Sequence, residues 1–511
     1  MSKFYRISIF FFQATLFFFA GIPYALCQEQ LGLRLENYSG ISGIKLNPGS
    51  SASYPLRWDI NVVGLNFFAD NNYGYASNTN LFEVWGKREN IAIVPDFENP
   101  NSIPLNATRI DFPRTFKDKS VSGMIGISGP SALVHTDNGH SFGVFTEARM
   151  AAGGHNLPFF VGWYEYEETP FYDTVFLHPF RAVFSSWLET GAHYSYKIPT
   201  DDGFLSFGAN VKWLHGYESG YFALLNDAII AELPDDTIRV FSNGQYEYSY
   251  TTSNLNLSED NLNIQPRRNG GGIAVDIGAI LTGGGDEEEY RWKAGISLLD
   301  IGSIRYNRNS KQHLLTIDST AEVWRPEVTG LSYPVQLEDA VQILSDRVLE
   351  DSFATLANNE FTVWSPTAIS IQGEFAFNNH VFINATLVQR IPLGNISIER
   401  ENIFALTPRY EHRAYSASLP IVLHEWKDIR FGAAVRLGLL TVGTEHIPSF
   451  FLKENLTGTD FYVALKVTPF DLHWLFGGDK KPRRWGGKGE RYNGKGGVIL
   501  KKKSNVRCPH F

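Results

Sequence analysis

Along most of this chain apolar and polar residues alternate one by one, without the three-to-four-residue rhythm of a helix. Over 205–213 one set is Leu205, Phe207, Ala209, Val211 and Trp213, and the other is Ser206, Gly208, Asn210 and Lys212. Successive side chains on a strand point to opposite faces, so this spacing makes a strand with one apolar and one polar face. The same period returns where Ile369, Ile371, Phe375 and Phe377 oppose Ser370, Gln372 and Glu374. It appears again where Ile429, Phe431, Ala433, Val435 and Leu437 oppose Arg430, Gly432, Ala434, Arg436 and Gly438, and where Phe461, Val463, Leu465 and Val467 oppose Tyr462, Ala464, Lys466 and Thr468. Half-apolar strands belong to antiparallel sheets, since strands buried on both faces read as continuous apolar runs.

Runs of this kind fall near 57–70, 119–135, 140–150, 182–198, 203–217, 271–282, 290–306, 366–378, 380–391, 408–424, 428–444 and 460–470. Their connections alternate in length. Short ones read Thr136-Asp137-Asn138-Gly139, Thr200-Asp201-Asp202-Gly203, 283–289, Asn378-Asn379 and 425–428; long, polar and aromatic-rich ones cover 71–118, 151–181, 218–270, 307–365, 392–407 and 445–459. Tight turns at one rim and long loops at the other are the plan of a transmembrane β-barrel. The expectation is therefore an all-β, antiparallel transmembrane barrel of about 12–14 strands, with short periplasmic turns, long extracellular loops and both ends periplasmic. A secreted soluble β-sandwich would also alternate. Runs close to the roughly 9–11 residues of a tilted membrane strand, and charges in mid-strand on the polar face, favour the barrel. Within the loop 307–365, Leu337, Val341, Leu344, Val348 and Leu349 recur at helical spacing and predict a short amphipathic helix over 337–356.

Composition adds the compartment. Lys3 and Arg6 precede an apolar stretch at 7–22, and Ala25-Leu26-Cys27 offers a cleavage site before Gln28, which together predict a secretory signal peptide over 1–27. Leu26 in front of Cys27 disfavours a lipoprotein site, where a small residue is expected. With Cys27 removed, Cys508 stands alone and no disulfide framework is available. Aromatics at 14% with 46 Gly and 3 Met suit strands, turns and interfacial girdles. After residue 470 the alternation stops. Residues 479–511 hold eleven Lys/Arg against two acids, a charge of +9 beside −18 on the rest of a chain that totals −9. Such a tail is expected to be disordered and, if periplasmic, to meet peptidoglycan or an acidic periplasmic protein; the compartment is wrong for nucleic acid. The domain expectation is thus signal peptide 1–27, N-terminal plug segment 28–56, barrel 57–470 in outer-membrane lipid, and basic tail 471–511.

Candidate chemistry is sparse. Gly283-Gly284-Gly285 is followed by Asp286 and three Glu, the opposite of a phosphate cradle. Neither a His-Glu-x-x-His helix nor a Cys-x-x-Cys pair occurs, and no Gly-x-Ser-x-Gly elbow is expected. His135 and His140 flank a predicted turn, and loop carboxylates such as Asp235-Asp236 read as solvated. No catalytic residue, cofactor or metal is expected. Eight ionisable residues share the polar parity of the strands: Lys212, Asp276, Arg291, Lys293, Glu374, Arg430, Arg436 and Lys466. Facing lipid at mid-depth each Arg or Lys would cost about 2–4 kcal/mol, which places them inside the lumen. There they either line a water-filled path or pair across the wall and with the N-terminal segment.

Residues 36–52, Glu-Asn-Tyr-Ser-Gly-Ile-Ser-Gly-Ile-Lys-Leu-Asn-Pro-Gly-Ser-Ser-Ala, resemble the pre-barrel segment ending in Asn-Pro of the fatty-acid-transporter-like outer-membrane barrels, with Asn47-Pro48 as that pair. Gly126-Ile-Ser-Gly-Pro-Ser131, Arg149 and Asp460-Phe461-Tyr462 resemble one family of Bacteroidota outer-membrane barrels of unassigned activity. The likeness covers most of 31–470. It implies a barrel with its N-terminal segment in or against the lumen, and distant kinship to gliding and secretion-system barrels as well as hydrophobic-solute transporters. Gly49 follows Pro48 where the fatty-acid transporters have Ala, which speaks against a ligand-gating role for the segment. The functional expectation is a transporter or channel for a hydrophobic or small solute. The alternatives are a structural or secretion-linked barrel that binds partners through its loops and tail, and a soluble sandwich binder.

Overall fold

The computed structural model describes residues 29–94, 102–113, 119–158, 174–233, 237–240, 244–253, 266–285, 290–317, 320–324, 337–469, 490–493 and 497–500. The expected signal peptide and Asp235-Asp236 lie outside these residues, as does most of the tail, whose described part is a small antiparallel hairpin, Glu490–Asn493 with Gly497–Leu500.

Fourteen antiparallel strands close into one ring. They are β1 (Trp58–Asn71), β2 (Lys119–Ser128, continued by Ser131–His135), β3 (His140–Leu157), β4 (Phe180–Thr200), β5 (Gly203–Leu224), β6 (Gly270–Gly283) and β7 (Trp292–Tyr306). The second half is β8 (Ala368–Ala376, with Phe361–Trp364 above it), β9 (Val381–Arg390), β10 (Ile403–Glu411), β11 (Tyr415–Ser418 and Ile421–His424), β12 (Asp428–Phe431 and Ala433–Leu437), β13 (Leu440–Thr444) and β14 (Gly458–Val467). β1 closes the ring by pairing with β14 from Ile60↔Val467 to Asp70↔Gly458 while its other edge pairs with β2. Among the described residues the ring itself leaves no strand edge open, the arrangement that a membrane interior demands. Among the described residues no helix is long and apolar enough to cross a membrane.

Two of the expected runs are each a hairpin. The run 408–424 turns at His412-Arg413-Ala414, where His412 N–H donates to Tyr415 O at 2.8 Å, and 428–444 turns at Gly438-Leu439, with Gly438 at φ +54°. Neither Gly nor Pro marks the first turn, and a two-residue turn leaves the alternation of the second in phase. This corrects the topology at that end of the chain. β10 already begins at Ile403, and the connection 425–427 sits at the long-loop rim, not among the periplasmic turns.

Side-chain direction follows the alternation. Phe207, Val211 and Trp213 on β5, Ile371 and Phe375 on β8, and Ile429, Phe431, Val435 and Leu437 on β12 stand exposed on the outer wall, while Ser206, Asn210, Lys212, Ser370, Glu374, Arg430 and Arg436 are buried inside. The wall is uneven in height. β4 and β5 run for 21 and 22 residues, about twice a membrane crossing. Their upper parts continue into a ribbon of Gly244–Thr251, Ser310–Ile317 and Leu356–Asn358. The loop helix spans Leu337–Leu349, shorter than the expected 337–356, and sets Val348 and Leu349 against Leu315, Ile317 and Ala321.

Candidate functional site: the occupied lumen

The lumen is filled in two different ways. Toward the loop rim, Met124, Trp187, Leu214, Tyr221, Ile304, Tyr306, Phe361 and Val363 of the wall pack on one another and on Ile398 of the connection between β9 and β10. Tyr306 stacks on Phe361 at 5.1 Å between ring centroids, and Tyr221 meets the same ring edge-on at 5.7 Å. Below this apolar cap lies a layer of charge. Asp300 accepts from Lys212 Nζ at 2.6 Å, from Arg149 Nη1 at 3.2 Å and from Arg400 Nη1 at 3.4 Å; Lys212 also meets Asp276 at 2.8 Å and Arg149 meets Glu189 at 2.8 Å. Asp300 reaches this layer through a β-bulge: it has φ +53°, and Leu299 and Asp300 together oppose Asp276 on β6.

Below the charge layer the space is taken by residues 29–56, the expected plug segment, folded as the helical turn Leu31–Arg34 and the 3₁₀ turns Gly40–Lys45 and Pro48–Ser53. Three ion pairs hold it over residues 29–45. Glu29 is gripped by Arg400 through Nε at 2.5 Å and Nη2 at 2.8 Å, Glu36 by Arg436 at 2.7 Å, and Lys45 by Glu147 at 2.8 Å. Burial alone would raise the Glu29 carboxyl; Arg400, with Arg34 behind it, outweighs that and holds it below the ordinary carboxylate range.

Most of the remaining polar contacts go to the segment's main chain. Wall carboxylates and a phenol accept from its amides: Glu445 from Leu31 N at 2.8 Å, Tyr462 from Gly32 N at 2.9 Å, Glu411 from Tyr38 N at 3.2 Å and Asp59 from Ile41 N at 2.8 Å. Wall hydroxyls and amides donate to its carbonyls: Asn210 to Ile44 at 3.1 Å, Ser297 to Leu46 at 2.7 Å, Ser206 to Gly49 at 2.9 Å and Ser141 to Ser51 at 3.1 Å. Lys466 Nζ donates to Tyr38 O and Ser39 O. Apolar side chains fill the gaps, with Leu31, Leu35 and Leu46 against Ala368, Val388, Ile403, Ala405 and Val422, and Ile41, Ile44, Tyr54 and Leu56 against Leu133 and Phe145.

Asn47 and Pro48 seat in a notch made by two glycines paired across β5 and β6, Gly208 and Gly278. A Cβ on Gly208 would lie 2.2 Å from Pro48 O, and one on Gly278 would lie 2.3 Å from Asn47 Oδ1. Asn47 caps the turn it starts, accepting from Gly49 N at 2.9 Å. A Cβ on Gly49 would come within 3.3 Å of Ile280 N and Ser206 Oγ, so Gly at that position is a matter of fit against the wall. A small cavity of about 30 Å³ remains between segment and wall beside Arg34, Glu36, Asn47, Lys293, Gln372 and Glu374.

Of the eight ionisable residues singled out by parity, seven face the lumen and are paired there: Lys212 with Asp276, Lys293 with Glu374 at 3.1 Å, Arg430 with Asp70 at 2.7 Å, Arg436 with Glu36, and Lys466 with Asp59 at 3.2 Å. Glu374 also pairs with Arg409 at 2.6 Å. The eighth, Arg291, has the right parity but precedes the first residue of β7 and stands exposed at the short-turn rim. Glu29, Arg149, Glu189, Asp300 and Arg400 were not among the parity residues. Arg149 entered only through the family resemblance, Glu29 and Arg400 lie outside any alternating run, and the bulge rotates Asp300 off its nominal face.

One pattern escaped the reading of enzyme signatures. Gly139-His140-Ser141-Phe142-Gly143 matches Gly-x-Ser-x-Gly. That motif carries a nucleophile when it forms a strand-to-helix elbow; here it leaves a hairpin turn and enters β3, and the hydroxyl of Ser141 is spent on Ser51 O. A second relay joins Ser51 Oγ to His193 Nε2 at 2.6 Å, His193 Nδ1 to Asn210 Oδ1 at 2.6 Å and Asn210 Nδ2 to Asp276 at 2.8 Å. Ser51 is 1% exposed and its oxygen also meets Ser195 Oγ at 2.6 Å. With no approach for a substrate, this relay seats the segment. Among the described residues no group of three or more His, Cys, Asp or Glu could hold a metal ion.

The family of unknown function DUF5723 matches residues 48–445. Among curated proteins none matches the sequence. Solved structures similar to the chain include a TodX deltaS2S3 mutant monoaromatic hydrocarbon channel, 10% identical over 84% of this chain and 94% of that one, with a TM-score of 0.39. They also include the Ralstonia pickettii toluene transporter TbuX, 8% identical over 84% and 92% with a TM-score of 0.32, and a Pseudomonas aeruginosa FadL homologue, 8% identical over 83% and 92% with a TM-score of 0.21. The barrel itself rests on the strand register, independently of these likenesses.

Proposed function

The chain belongs to the DUF5723 family, and from that premise we propose that it is an outer-membrane channel whose stopper is its own segment 29–56. One observation carries this: between its apolar patches the wall facing the segment is rich in Ser, Asn, Glu, Lys and Arg, which meet it by hydrogen bonds and ion pairs. A barrel built only to be stable gains nothing from such a filling, because buried ion pairs can be replaced by packed apolar side chains at little or no loss. A wall of Ser, Asn, Glu, Lys and Arg is what water or a hydrophilic solute would touch once the segment withdrew, and lumen composition sets what a pore admits. The polar lining speaks for a hydrophilic path over a hydrocarbon one.

Arg400 and Arg436 make the latch. Arg400 comes from the connection at the outer rim and holds the start of the segment, while Arg436 holds its middle from β12. Removing one partner of a buried pair leaves the other charge uncompensated, at about 3–5 kcal/mol. Glu29 and Glu36 escape that cost by leaving the lumen for water. In planar bilayers the wild type should show rare openings, and Arg400→Gln combined with Arg436→Gln should raise the mean conductance at least tenfold. A double variant that retains the heat-modifiable gel mobility of a closed barrel and still does not conduct would defeat the channel reading. A structural or partner-binding barrel would then take its place, a role the tall ribbon on β4 and β5 would suit.

A further inference from the structure

The wall reads the segment's main chain as well as the side chains of Glu29, Glu36, Asn37, Lys45, Asn47 and Ser51. Four wall groups, Asp59, Glu411, Glu445 and Tyr462, accept from peptide N–H groups, and Asn210 and Ser206, with other wall side chains beside them, donate to peptide C=O groups. Each of these wall atoms is buried, and a buried polar atom left without a partner costs more than its hydrogen bond contributes. A ligand that replaces the segment and keeps water out must therefore offer donors to the first set and acceptors to the second, as a peptide main chain does at every residue; a hydrocarbon offers neither. The glycine notch at Gly208 and Gly278 adds the second requirement, since it lets a main chain approach the wall to within a Cβ radius.

We infer that the solute class of this channel is peptide: the lumen binds an extended or turn-rich polypeptide stretch through its main chain, and segment 29–56 is a built-in competitor for that site. The inference rests on the gated-channel reading and narrows it. Main-chain recognition tolerates sequence, as in strand addition to a sheet edge, so the site would accept many peptides of similar length and set register through the charged and polar positions that now meet Glu29, Glu36, Asn37 and Lys45.

The test uses the full-length Arg400→Gln/Arg436→Gln protein in a detergent without a sugar headgroup. A fluorescein-labelled synthetic peptide of residues 29–56 carrying Glu29→Gln and Glu36→Gln, neutral where the variant has lost its two arginines, is titrated and followed by anisotropy, then challenged with the same peptide unlabelled, a scrambled peptide of the same composition, and a maltodextrin of equal mass. The expected result is saturable binding at least tenfold tighter to the variant than to the wild type, displacement by the scrambled peptide within about tenfold of the unscrambled one, and none by the maltodextrin. Absence of saturable binding, or equal displacement by maltodextrin, overturns the peptide class. Conductance in bilayers is recorded on the same preparation. A variant that conducts but binds no peptide loses this inference and keeps the channel, whereas one that binds peptide without conducting loses the channel and keeps a peptide-binding lumen.

Discussion

The two ends of the lumen solve one problem in opposite ways. At the loop end the wall fills itself: Trp187, Leu214, Tyr306 and Phe361 are at most 4% exposed and make a core of interlocking side chains. At the turn end the wall is polar and borrows its filling from residues 29–56. An apolar core gains from burial and parts only by exposing that surface. A polar wall satisfied by a separate segment can exchange that segment for water or another ligand, because its hydrogen bonds can be remade. The turn end is thus the end that the segment controls, and a through path forms when the cap at the loop end parts as well.

The largest effect that tests the contrast is at the apolar end. Phe361→Ala removes a ring that touches Tyr221 and Tyr306. It should cost about 3–5 kcal/mol, the usual range for deleting a buried Phe, read as a lower unfolding temperature with bilayer conductance unchanged. If Phe361→Ala opened the pore and the Arg400/Arg436 pair of substitutions did not, the division between the two ends would be reversed. A smaller effect is expected at the notch. Gly278→Ala sets a Cβ 2.3 Å from Asn47 Oδ1 and overpacks the seat of the segment, for about 1–3 kcal/mol. Limited proteolysis should then cut within 29–56 faster than in wild type while the barrel keeps its unfolding temperature. Equal protection in both would mean that the notch does not position the segment.

The smallest expected effect is in acid. The Glu29 carboxyl is held below its ordinary range in the folded protein. A depressed carboxylate contributes stability above its unfolded pKa, about 4.3, and loses it as pH falls through the lower folded value. Openings should therefore be rare and insensitive to pH near neutrality and become more frequent below about pH 4, with Glu29→Gln abolishing that acid response. An acid response that survives in Glu29→Gln would shift the trigger to another carboxylate.

Where the sequence could be read, it was read through period two. Phe207, Val211 and Trp213 outside and Ser206, Asn210 and Lys212 inside follow from alternation alone. The hairpins at 412–414 and 438–439 escaped because one lacks any turn residue and the other preserves phase, so their strands merged with their neighbours. Asp300 escaped because a bulge breaks the period at the residue that three cations share. Arg291 was misplaced for a complementary reason: parity continues past the end of a strand, while the wall does not.

The sequence by itself favoured an antiparallel membrane barrel over a β-sandwich and, for a barrel, turned its charges inward, since Lys or Arg facing lipid is costly to desolvate. It also pointed to Asn47-Pro48 as part of a segment at the lumen. Only the tertiary structure decided which inward charges pair across the wall and which meet that segment, and that the wall holds the segment's main chain as well as its side chains. Those contacts join residues such as Glu29 and Arg400, or Leu31 and Glu445, that stand hundreds of positions apart and share no local pattern. Local alternation dictates which face a side chain takes; ring closure dictates what it meets there.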